Sequence, residues 1–111
     1  MESWEITEKK VQAVVGKIVK ASNPISVILF GSYTRGQTDV NSDLDVLVVV
    51  DDDVKNCRHE SVRIRQSLKG ILIPVDIIVV RQQDLYRFVN IPGLIYASAL
   101  KEGKVAYEKT R

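Results

Sequence analysis

Only one cysteine, Cys57, stands in the 111 residues, so no disulfide can close within the chain. That excludes the small disulfide-stapled scaffolds of the extracellular space and favours a reducing compartment. Histidine is as scarce: His59 is the only one and lies in a polar segment with no second histidine to build a cluster. We expect it at the surface rather than on a metal. Aromatic residues make up 6% of the chain. Tyr86, Phe88 and Tyr96 are too scattered to form a stacking platform for bases and read as core or interface. The formal charge of +2 is too near balance to argue for nucleic acid, so direct nucleic-acid binding is not expected. No apolar stretch approaches the ~20 residues that span a bilayer. The opening Met1-Glu2-Ser3-Trp4-Glu5 is acidic and polar, unlike a signal peptide. A cytoplasmic protein without a membrane segment is the expectation.

What the chain does have is enough apolar material for a core, at 45% hydrophobic residues, and a length suited to one domain over residues 1–111. No repeat or low-complexity segment interrupts it. Val11, Val14, Val15 and Ile18 recur at helical spacing over residues 5–21, and Asn23-Pro24 closes that segment. An apolar run over residues 25–30 predicts a first strand, followed by a short helical turn after Gly31. The run Asp43–Val50 predicts a second strand. Asp51-Asp52-Asp53 is expected to cap the next helix, over residues 55–69, with Gly70 as its stop. Residues 71–80 predict a third strand, and two short helices follow near residues 82–89 and 92–102. Pro92 suits a first helical turn, and Gly103 a C-terminal cap. The fold class expected is α/β, a small mixed sheet flanked by helices in two or three layers.

The functional signal is a spacing. Gly31-Ser32 is followed by ten residues and then Asp43-Leu44-Asp45. Side chains alternate along a strand, so Asp43 and Asp45 share a face. Two carboxylates on one face repel unless a cation lies between them. Mg²⁺ fits best, because it takes carboxylate oxygens and leaves positions for substrate phosphates. Asp76 is the lone charge in Ile73–Val80 and is costly to bury unpaired. If its strand neighbours the second one, all three acids join one metal site. The competing reading, in which these acids simply meet solvent at sheet ends, weakens once Gly-Ser upstream and Asp76 downstream are counted.

The stretch GSYTRGQTDVNSDLDVLV, with Asp76 and the ending Ala99–Tyr107, resembles the minimal nucleotidyltransferases (MNT proteins) of the DNA polymerase beta-like superfamily. That resemblance covers most of the chain, the helix around residues 55–69 being its least diagnostic part. It implies the polymerase beta-like nucleotidyltransferase fold, with Ala99–Tyr107 as a C-terminal helix and short tail. It also implies transfer of a nucleoside monophosphate from a triphosphate, ATP being the expectation from the family, with two Mg²⁺ ions. HEPN-domain proteins are the partners of minimal members, which serve as antitoxins by modifying a hydroxyl on the toxin. Homo- or hetero-oligomers are compatible with this.

In that reading Gly31 lets a phosphate approach closely, and Ser32 offers its hydroxyl and backbone N–H to a terminal phosphate. A helix beginning there would add further donors. Asp43, Asp45 and Asp76 hold the metal, and Asp76 alternatively accepts the hydroxyl proton. Arg35 reads equally as a bidentate phosphate ligand or as a solvated surface arginine. Asn41 and Ser42 shape the turn into the second strand, where Ser42 is also placed to touch a phosphate. Cys57 has no activating histidine pattern and reads as a buried-face residue. The basic side formed by Arg58, Arg63, Arg65 and Lys69 reads first as a solvated face. A second class of function stays open, a catalytically silent module that inhibits its partner by contact alone. Transfer to a small molecule would need a substrate-binding domain for which the chain has little room.

Overall fold

The computed structural model describes residues 5–36 and 42–110. Its elements run α1 (Glu8–Ser22), β1 (Ser26–Phe30), β2 (Leu44–Val50), α2 (Cys57–Ser67), β3 (Val75–Arg81), α3 (Gln82–Phe88), α4 (Ile95–Glu102) and β4 (Lys104–Glu108). Four strands form one mixed sheet in the order β3-β2-β1-β4. β1 pairs antiparallel with both β2 and β4, whereas β2 and β3 run parallel.

Helices cover both faces, so the arrangement is three-layered. Val27, Leu29, Val46, Val48 and Ile77 meet Val11, Val14 and Ile18 of α1 and Ile64 of α2 on one face. Ile28, Phe30, Leu47, Val49 and Val80 meet Leu85 of α3 and Ala99 of α4 on the other. Central β2 is therefore apolar on both sides, which is why its sequence reads as a run rather than an alternation. Among the described residues no helix is long and apolar enough to cross a membrane.

Local chemistry sets the boundaries. The Thr7 side chain accepts from the Lys10 N–H at 3.2 Å and starts α1. Asn23, at φ 48°, ends it with its N–H on the Val19 carbonyl. The third strand begins at Val75, later than expected, because Pro74 has no N–H to give a ladder. Its carbonyl instead accepts the Leu44 N–H at 2.8 Å. Pro92 does not open α4. It sits second in a turn closed by the Leu94 N–H on the Ile91 carbonyl, with Gly93 third at φ 87°, a type II arrangement.

The acidic triplet does not cap α2, either. Asn56 does so, accepting from the His59 N–H at 3.0 Å. Asp52 reaches across instead and accepts from the Gln83 N–H of α3 at 2.9 Å. The expected tail is the strand β4, the fourth in the sheet. Gly103 allows it not by a left-handed twist, since its φ is −78°, but by close approach. A Cβ there would lie 2.8 Å from Ile28 Cγ2 and from the Leu29 carbonyl oxygen.

Candidate active site

β1 ends where β2 and β3 begin, and the expected site residues gather at that end of the sheet. Phe30 is the register partner of Asp45 across β1 and β2, which brings the next residue, Gly31, against the Asp45 carboxylate. A Cβ built on Gly31 would collide with Asp45 Oδ2 and stand 3.1 Å from Asp45 Cγ. Gly31 also has φ 81°, where a side chain is strained. After it the chain makes two overlapping hydrogen-bonded turns, with the Arg35 N–H on the Gly31 carbonyl at 3.3 Å and the Gly36 N–H on the Tyr33 carbonyl at 3.1 Å, and Thr34 Oγ1 donates to the Gly31 oxygen at 2.9 Å. These are turns within the described residues, not a helix, so their own N–H groups are the donors they offer. Ser32 is half-buried within the first.

Asp45 and Asp76 are direct register partners across the parallel β2–β3 pair. Both lie on the sheet face that, further along the strands, meets α3 and α4 through Leu47, Val49 and Val80. Asp43 precedes β2 by one residue and is exposed, and Ser42 beside it is half-buried. Asn41 lies outside the described residues.

Burial, and then the negative charges of Asp76 and Asp43, push the Asp45 carboxyl above the usual aspartate range, while the Arg35 guanidinium partly offsets them. Three acids and one arginine thus feel one another at this point. Asp76 is not buried, contrary to what its apolar neighbours suggest. It is 59% exposed and pairs with Arg65 Nη2 at 3.5 Å.

Gly31, Arg35 and Asp45 share a cleft of about 230 Å³ with Phe30 and with Ile95, Ser98 and Glu102 of α4. Pockets for whole ligands span roughly 300–1,000 Å³, so the cleft suits part of a nucleotide rather than all of it. A larger apolar groove of about 470 Å³ lies between α1 and β4, lined by Val11, Val15, Tyr33 and Tyr107. It contains none of the three aspartates, so chemistry rather than volume selects the site. Sequence reasoning did not find Ser98 and Glu102. Their spacing with Ile95 marks one face of α4, but only the fold shows that this face borders Asp45. Nor did it single out Arg65, which it read as one of four solvated cations.

Hard oxygen donors, one of them raised by burial and then by its acidic neighbours, suit a magnesium ion. Among the described residues, however, no three His, Cys, Asp or Glu side chains converge as a ready-made metal cluster. The donor set fits the ion in kind, and the register pair Asp45 and Asp76 brings two of the acids together.

A family model for the nucleotidyltransferase domain matches residues 9–105. The chain belongs to the nucleotidyltransferase domain family. The matched span runs from α1 into β4 and includes the whole of the site. Two solved structures share the fold of this nucleotidyltransferase domain. One, from Sulfolobus solfataricus and assigned as a nucleotidyltransferase, aligns with a TM-score of 0.61 at 20% identity, covering 91% of this chain and 79% of its own. The other, a toxin–antitoxin complex with AMP-PNP, aligns with a TM-score of 0.50 at 20% identity, covering 88% and 73%. Comparison with curated proteins finds no match.

Proposed function

We propose that the chain is a Mg²⁺-dependent nucleotidyltransferase, a single minimal domain that transfers a nucleoside monophosphate, AMP from ATP, to a hydroxyl of a partner protein. The observation that carries this reading is the in-register pair Asp45 and Asp76 beside the Gly31 turn, with Arg35 in the same cleft.

In this reading the Gly31-Ser32 turn and the Arg35 guanidinium receive the triphosphate. Ser42 stands at the entry to β2 as a further phosphate contact. Asp43, Asp45 and Asp76 would hold Mg²⁺, which when bound neutralises phosphate charge and lowers the pKa of an attacking hydroxyl. The acceptor oxygen forms a new bond to the α-phosphorus, the bond to the β-phosphate side breaks, and pyrophosphate leaves. Asp76, exposed like Asp43, completes the metal shell or accepts the acceptor's proton.

A HEPN-domain toxin is the partner we assign. Support comes from the resemblance to minimal nucleotidyltransferases, and from the solved neighbour in which a toxin–antitoxin complex holds an ATP analogue. The open, incomplete arrangement of the acids favours one rival, inhibition by contact alone. Asp43→Asn separates the two. The transfer reading requires that this variant still bind the partner but no longer neutralise it, and neutralisation at the wild-type level would support the contact-only module.

A further inference from the structure

Asp76 is the register partner of Asp45, yet its carboxylate pairs with a cation from the other layer of the fold. Arg65 lies in the last turn of α2, which packs on the sheet face opposite α3 and α4. Its Nη2 approaches Asp76 Oδ1 at 3.5 Å, and its Nη1 donates to the Val75 carbonyl at 3.5 Å. Both contacts are long, and the side chains are 48% and 59% exposed. Such a pair adds little to stability and exchanges readily. Its position gives it a different consequence, because the carboxylate it binds is one of the acids that act on Asp45.

We propose that Arg65 is the resident counter-ion of Asp76, competing with the divalent cation for this carboxylate and setting how tightly the site takes up metal. The inference rests on the metal-dependent reading above. Three observations meet in it: Asp45 and Asp76 are register partners on adjacent strands, Asp76 is paired with Arg65, and among the described residues no three acids converge. Arg65 is a positioning residue here. It touches neither nucleotide nor acceptor and acts through Asp76. A fixed positive charge this close to a ligand also repels a dication directly, and over these distances at a solvated surface the penalty corresponds to a several-fold loss of affinity. Salt screens such a charge, so the penalty shrinks as ionic strength rises.

The test is Mn²⁺ uptake by the purified full chain, read from the EPR signal of free Mn²⁺ without nucleotide or acceptor. Arg65→Gln should tighten uptake by roughly three- to tenfold at low salt, and the gain should fall at high salt. Arg65→Lys, which keeps the charge, should stay near wild type. In the Asp76→Asn background Arg65→Gln should lose most of its effect. Unchanged or weaker uptake in Arg65→Gln, with Asp45→Asn still impairing uptake, would overturn this proposal alone. A wild-type chain that takes up no Mn²⁺, or an Asp45→Asn chain that takes it up undiminished, would overturn it together with the metal-dependent reading.

Discussion

Gly31 and the Asp45 carboxylate occupy adjoining space so tightly that no side chain fits between them. A Cβ on Gly31 would collide with Asp45 Oδ2. One strand ends and its neighbour begins at this contact, and the link between a Gly-Ser turn and an Asp-x-Asp pair ten residues on is a physical one.

Gly31→Ala should therefore damage both site and fold. The new methyl meets the carboxylate, and φ 81° strains any side chain. We expect a loss of about 1–3 kcal/mol of stability, measured by urea unfolding, with loss of transfer. A variant as stable and active as wild type would remove the steric link between the two residues.

Asp45→Asn should separate stability from function. The folded carboxyl titrates above its unfolded value, so the native chain retains a proton that the unfolded chain has already released. Stability therefore falls as pH rises from the unfolded aspartate value, about 3.9, through the raised folded one. Without metal at neutral pH, Asp45→Asn should melt higher than wild type and lack this acid-side slope, while transfer is lost. Mg²⁺ should raise the wild-type Tm and leave that of the variant nearly unchanged.

Glu60 should behave in the opposite way. Burial works against its charge, but the Arg63 guanidinium and the Ser22 hydroxyl, the latter at 2.6 Å, hold its pKa below the usual glutamate range. Its contribution is present above the unfolded glutamate pKa and is lost as pH falls through the lower folded value. Glu60→Ala should destabilise by about 1–2 kcal/mol at pH 7, and the difference should vanish in strong acid. Chemical denaturation across pH checks this.

Two glycine substitutions should move stability in opposite directions. Gly16 lies within α1 with nothing within 4 Å of a built Cβ, so Gly16→Ala should stabilise by about 0.5–1 kcal/mol. Gly103→Ala should destabilise, since its methyl would meet the Leu29 and Ala99 carbonyls where β4 joins β1. Thermal melts of the pair check the assignment of β4 as a strand.

These cases show what was legible in the sequence. The helical spacing of Val11, Val14 and Ile18 and the apolar run Val46–Val50 of β2 reflect burial on one face and on two faces, so helices, strands and sheet class could be read from them. β4 could not. Its residues are mostly exposed, and a register shift opposite Val27 and Ile28 breaks its alternation. The acids of the candidate site were legible from spacing and type. Their neighbours Ser98, Glu102 and Arg65 were not, because each comes to the site through packing of a helix far along the chain. Asp52 was read as a local cap, but it caps a helix 31 residues away.

Transfer of label to an acceptor tests the central claim most directly. Purified protein with Mg²⁺ and lysate from its source cells would receive each α-phosphate-labelled nucleoside triphosphate in turn, beside the Asp43→Asn/Asp45→Asn double variant. The account predicts a labelled macromolecule with the intact chain alone, strongest with ATP. No label from any nucleotide, or equal label from the double variant, would contradict it.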